Sequence, residues 1–164
     1  MRLLWTAVAL VTFGPALAAP LHAESPEEWV QLGTRVHGGF GSFLPVGIRI
    51  GLDALERLHA KPREVTVTYY DSDKAPCACV ADGVAIATVA SIGQRTPQIA
   101  PEKAPAGAMA VIVVRSKQSG AAVRYTVSDA WVPKLIEINR SRDPRGRYDA
   151  VMQADGLFEA VAEK

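Results

Sequence analysis

The sequence predicts an α+β domain, a mixed or antiparallel sheet packed with helices in one layered unit. Helical spacing opens the chain and strand-like alternation follows in its middle. The order helix, helix, strand, helix, strand, strand, helix, helix lacks the regular alternation of a doubly wound sheet. A length of 164 residues gives one ordinary domain, able to build a core without disulfides or a structural metal.

The first 18 residues stand apart from that domain. Met1-Arg2 is a short basic start, LLWTAVALVTFGPALA is an apolar run too short for a membrane helix, and Ala16-Leu17-Ala18 fits the small-x-small cleavage rule. A signal peptide over residues 1–18 is expected, with a cut after Ala23 as a second site and an uncleaved anchor as the alternative. The mature domain is then expected over 25–162, periplasmic or secreted and free of the membrane after cleavage.

In SPEEWVQLGTRV, Ser25, Pro26 and Glu28 form a capping box with proline at the first helical position, and His37-Gly38-Gly39 marks the end of the helix. Ser42 is expected to cap the next helix, where Leu44, Ile48, Leu52, Leu55 and Leu58 recur at helical spacing to about His59 or Ala60. Gly47 and Gly51, four apart, predict close approach of this helix to the sheet or to a partner subunit. REVTVTYY alternates as a strand with one buried face, VADGVAIATVA reads as a buried helix, and SIGQRTPQIAPEKAPAG with its three prolines reads as irregular. AMAVIVVRS and AAVRYTVSD, joined by KQSG, predict an antiparallel hairpin. Asp129 is expected to cap a helix holding Trp131, Val132, Leu135 and Ile136; Asp143-Pro144 starts a last one carrying Tyr148, Val151, Met152, Leu157 and Phe158.

Charge excludes one class of partner. The chain has 18 basic and 17 acidic residues, and loss of Arg2 with the signal peptide makes the counts equal. A nucleic-acid binder needs surplus positive charge to replace phosphate counterions. The one basic cluster, NRSRDPRGRYD, is interrupted by Asp143 and Asp149 and reads as a solvated loop.

His22 falls at the processing site, so the reactive side chains reduce to His37, His59, Cys77, Cys79 and a few carboxylates. The chain has no G-x-S-x-G elbow, H-E-x-x-H, Walker loop or G-x-G-x-x-G after a strand, so the common hydrolase and nucleotide classes lose support. His37 lies at a glycine-rich break, either orienting a ligand or metal or serving as a hydrogen-bonded cap; His59 reads as a charge partner at a helix C-terminus. Cys77 and Cys79 stand one residue apart in KAPCACVADG, open to four readings: disulfide, metal ligands, redox pair or small buried residues. Export favours oxidation, but the short spacing weighs against a simple structural disulfide. Cys79 near a helix start is placed where the helix dipole favours thiolate.

Two runs resemble a known family. HGGFGSFLPVGIRIG is similar to the first signature of the formylmethanofuran dehydrogenase FmdE family, H-G-H-x-C-P-G-x-x-x-G-x-R, with His37, Gly38, Gly47 and Arg49 in register. CVADGVAIATVASIGQ resembles the second, C-x-x-D-G followed by T-G-C-T-x-G-K, through Cys79, Asp82, Gly83, Thr88, Ser91 and Gly93. The likeness covers about residues 28 to 160. It implies an α+β domain, often dimeric, with a cysteine- and histidine-lined pocket that holds a transition metal, usually zinc, in some members. The chain departs from the family where a histidine, a cysteine and a proline of the first signature are Gly39, Gly41 and Ser42, and where a cysteine of the second is Ala90.

His37 and Cys79 are thus the two retained ligands, and Cys77 or Asp82 must supply the rest of a site that takes three or four. The expected metal set is His37, Cys77 and Cys79, with Gly38, Arg49, Asp82 and Ser91 around the pocket, and thiolate with imidazole suits zinc or copper over magnesium or calcium. Three functions follow as expectations. They are a metal or small-ligand binding domain, a thiol-disulfide accessory cycling Cys77 and Cys79, and an assembly module with a decayed site and Gly47 and Gly51 at a homodimer contact.

Overall fold

The computed structural model describes residues 24–163, so the expected signal peptide and its cleavage site lie outside the described residues. Helix α1 (Pro26–His37) carries the full capping box: Glu28 N–H donates to Ser25 Oγ, and Ser25 N–H donates to Glu28 Oε2 at 2.6 Å. It ends at Gly38, whose φ of 87° is the left-handed cap that glycine adopts without strain. Helix α2 (Leu44–Arg57) follows. Ser42 does not cap it, because its hydroxyl donates instead to the buried Leu135 carbonyl at 2.6 Å.

Strand β1 (Val65–Tyr70) leads through the cysteine turn into α3 (Cys79–Thr88), a three-residue 3-10 turn (Ile92–Gln94) and the short strand β2 (Pro97–Ile99). The hairpin strands β3 (Ala108–Ser116) and β4 (Ala122–Ser128) come next. After them stand a 3-10 turn (Asp129–Trp131) capped by Ser128, α4 (Val132–Ser141), α5 (Pro144–Met152) capped by Asp143, and β5 (Glu159–Glu163). The sheet order is β2-β1-β3-β4-β5, with β1 and β2 parallel and the other pairs antiparallel. The mixed α+β fold is therefore as the residue pattern predicts.

Two edge strands depart from the pattern. β2 lies in the proline-rich stretch expected to be irregular, and Pro97 is tolerated because its neighbours, the Thr96 carbonyl and the Ala100 N–H, make the bonds to β1. The missing donor of Pro97 therefore faces away from the sheet. The last helix ends at Met152, so Leu157 and Phe158, expected on it, lie between it and β5, whose Glu-Ala-Val-Ala-Glu composition has weak strand preference. Pairing along β4 decides its conformation, helped by Arg124 Nε and Nη2 donating to Glu163 Oε1 at 2.9 and 2.6 Å. Asp129 likewise falls inside a 3-10 turn rather than at a helix cap, a role that Ser128 takes through its hydroxyl.

Helices cover one face of the sheet. Val65, Val67 and Tyr69 of β1, Ile112 and Val114 of β3, and Val123, Tyr125 and Val127 of β4 meet Val46, Ile50 and Ala54 of α2 and Val80 and Val84 of α3 in one buried cluster. Each such aliphatic side chain contributes about 1.5–3 kcal/mol by leaving water. A second cluster of Trp29, Phe40, Leu44, Ile48, Ala87 and Tyr148 joins α1, α2, α3 and α5.

The expectation for Gly47 and Gly51 is corrected. Both are buried against α3, not against the sheet or a subunit surface. A Cβ on Gly47 would run into the Val80 carbonyl and stand 2.7 Å from Val84 N; one on Gly83 would run into the Leu44 carbonyl. Two glycines facing each other thus let the backbones of α2 and α3 touch. This seam fixes α3 beside the end of α1.

Candidate metal and disulfide centre

The site forms where α1 ends and α3 begins. His37 is the last residue of α1, and Cys79 is the first of α3, at the carboxyl end of β1 where the chain crosses to parallel β2. Ligands in sheets of parallel strands commonly gather at such ends. Asp82 follows Cys79 by three residues, a spacing that puts both on one helix face. The α2–α3 seam brings that face to His37, 45 residues away in sequence, where Nδ1 lies 2.7 Å from Asp82 Oδ2.

With the carboxylate as acceptor, Nδ1 is the donor, and in the neutral ring Nε2 is the nitrogen left with a free lone pair. The ring and carboxylate are 28% and 48% exposed, so solvent reaches the pair and its ionic component is screened. Its main effect is to orient the imidazole. Asp82, considered from sequence as a ligand, is instead the group that holds His37.

One ligand atom from each of His37, Cys77 and Cys79 lies within 4.8 Å of the other two. The three residues predicted from sequence therefore converge. Cys79 is buried at 7% exposure and packs into the main core, whereas Cys77 is half-buried in the turn before it. The two cysteines are joined as a disulfide. This corrects the expectation drawn from their spacing: the turn places the two Cα atoms 5.3 Å apart, inside the range that a disulfide spans.

The donor set fits a soft ion in one redox state. Imidazole with two thiolates is a set that zinc and copper accept, and three protein ligands leave one coordination position open. As a disulfide the same sulfurs are neutral, and binding requires the dithiol.

Asp82 also walls a cleft of about 340 Å³ between α3 and β2. Ser91 and Ala90 line it with Val67, Tyr69 and Pro97, and Ile92 and Ile99 stand at it 86% and 65% exposed. Ala90, where the family signature has cysteine, thus faces a cavity next to the cluster. Tyr69 is buried with its hydroxyl unpartnered among the described residues, and burial together with the Asp71 carboxylate raises its pKa.

The other expected pocket residues separate. Asp82 and Ser91 line the cleft. Gly38 caps α1. Arg49 turns away from it, donating through Nη1 to the carbonyls of Val151 and Ala154 at 2.9 and 2.6 Å and lying over the Phe158 ring, so it ties α2 to the end of α5. Sequence reasoning missed Tyr69, Ala90 and Ile99 as cleft residues. The inward phase of β1 marks Tyr69, but nothing in a proline-rich stretch signals that β2 forms the opposite wall.

A search of curated proteins finds no match. The sequence model described as "FmdE, Molybdenum formylmethanofuran dehydrogenase operon" matches residues 36–158, about three quarters of the chain, and spans His37, both cysteines and the α2–α3 seam. The chain therefore belongs to the FmdE family.

Proposed function

We propose that this is an exported metal-binding domain in which His37, Cys77 and Cys79, with the cysteines as dithiol, hold one soft transition-metal ion, zinc or copper. The observation that carries it is the convergence of three donor atoms within 4.8 Å from segments some 40 residues apart, one of them on an imidazole already oriented by a carboxylate. Carboxylate-held histidines are characteristic of metal sites. The basic start and apolar run of residues 1–18 support export to the periplasm, and the family resemblance supports a homodimer.

Equilibrium dialysis of anaerobically reduced protein against zinc and against copper(I) tests the proposal. One ion per chain is expected, with binding lost in His37→Ala and in Cys79→Ser. No bound ion in the reduced wild type would end the metal reading.

The bond between Cys77 and Cys79 favours a second reading, a thiol-disulfide accessory that exchanges electrons with partner thiols. Its signature is turnover of a dithiol substrate by the metal-free protein. An assembly module with a decayed site has less support, because Gly47 and Gly51 are occupied by α3 and His37 has kept its place beside the sulfurs.

A further inference from the structure

The two sulfurs that the proposed centre needs are the two that the disulfide consumes. Sulfur atoms in a disulfide are about 2.0 Å apart and carry no charge. Two thiolates on one tetrahedral ion, each at ~2.3 Å, stand about 3.7 Å apart. The two states exclude each other.

The rest of the cluster is held by contacts that do not involve the disulfide. His37 is fixed by the α1 terminus and by Asp82, and α3 is fixed by Gly47 against Gly83. The disulfide closes a loop with one intervening residue, the kind of cross-link that constrains the unfolded chain least. Opening it therefore frees two donors within a frame that remains in place.

Access to the two sulfurs is unequal. Cys79 is 7% exposed and belongs to the core cluster, whereas Cys77 packs against that cluster from the turn that precedes α3 and is only half-buried. A thiolate must approach the sulfur it attacks in line with the bond it breaks, from the side away from the leaving sulfur. The more exposed Cys77 offers that approach more readily than the buried Cys79.

We infer that the Cys77–Cys79 disulfide is a two-electron gate on the metal centre, shut when oxidised and opened by a small thiol that attacks Cys77; this rests on the metal reading above. The thiolate R–S⁻ forms a bond to Cys77 Sγ, the Sγ–Sγ bond breaks and its electron pair leaves on Cys79 Sγ. A second R–S⁻ attacks the R sulfur of the mixed disulfide, releasing R–S–S–R and leaving the pair on Cys77 Sγ. Two thiols are oxidised, one disulfide is reduced, and the two protons pass to the cysteines, or to solvent when the thiolates are engaged by an ion. The gate makes metal occupancy report the thiol poise of the compartment.

The test uses wild-type mature protein in two forms, fully oxidised with no titratable thiol and anaerobically reduced with two. Zinc affinity is measured against a chromophoric chelator, and thiols are counted by alkylation. One ion per chain is expected in the reduced form, with alkylation of both cysteines suppressed, and at least hundredfold weaker binding in the oxidised form. Equal binding by both forms would overturn the gate while leaving the metal reading standing; binding by neither would overturn the metal reading and the gate with it. Separately, oxidised protein is mixed with glutathione, quenched with acid and alkylating agent, and the mixed disulfide located by peptide fragmentation. At least tenfold more adduct is expected on Cys77 than on Cys79. Adduct mainly on Cys79, or evenly divided, would overturn the assigned point of attack.

Discussion

The α2–α3 seam and the Cys77–Cys79 turn lie within a few residues of each other along α3, and both bring chain segments into unusually close contact. They do so by opposite means. At Gly47 and Gly83 side chains are absent, so backbone meets backbone and nothing can adjust. At Cys77 and Cys79 side chains make the contact, through a bond that chemistry can open. One region sets where α3 stands, and the other sets what its first turn can bind.

The largest expected effect comes from the seam. Gly47→Ala would gain about 1 kcal/mol of helix propensity. Against this, its Cβ meets the backbone of Val80, Gly83 and Val84, where no flexible side chain can give way. Overpacking dominates, with a net loss of about 3 kcal/mol or more in chemical denaturation. A stability within about 0.5 kcal/mol of wild type would show that the seam is soft. The turn should behave differently. Replacing Cys77 and Cys79 together by serine is expected to cost about 1–2 kcal/mol relative to the oxidised protein, since so short a loop limits the unfolded chain little. A loss as large as that of Gly47→Ala would make the bond a structural staple and erase the contrast.

Between them stands the link from seam to site. Asp82→Asn keeps the shape of the side chain but weakens its hold on Nδ1 of His37. Zinc affinity of the reduced protein is expected to fall ~10–100-fold, with thermal unfolding nearly unchanged at this half-exposed position. An unchanged affinity would show that the imidazole is oriented by the α1 terminus alone.

The same contrast explains what could be read from sequence. Glycine at Gly47 and Gly51 signals close approach, but the partner is invisible, because a missing side chain says nothing about what fills its place; hence the sheet or a second protomer was as reasonable as α3. His37, Cys77 and Cys79 were legible because few reactive residues exist and the family signature singles out two of them. Their redox state was not, since spacing limits a disulfide only through a backbone path that tertiary packing sets. The cleft was least legible: β2 is held to β1 by backbone pairing that runs past a proline, and such bonds leave no trace in composition.

The smallest effect tests the cleft wall. Tyr69 carries a buried hydroxyl that makes no well-formed hydrogen bond among the described residues, with the Asp71 carboxylate near it, so its desolvation is only partly offset. Tyr69→Phe is therefore expected to be neutral or to stabilise the protein by up to about 1 kcal/mol near pH 7. Burial, and then the nearby Asp71 carboxylate, raise the phenol pKa in the folded protein above its ordinary value near 10. The folded state then holds its proton where the unfolded chain releases it, so wild-type stability is intact below about pH 10 and falls as pH rises beyond it. Tyr125, also raised by burial and by Asp53, keeps part of that alkaline loss in the variant. Denaturant titrations at pH 8 and pH 11 should show a gap between variant and wild type that widens with pH. A variant that is less stable at pH 8 would mean that the hydroxyl finds a partner in solution, and would make Tyr69 a polar contributor to the cleft beside Asp82.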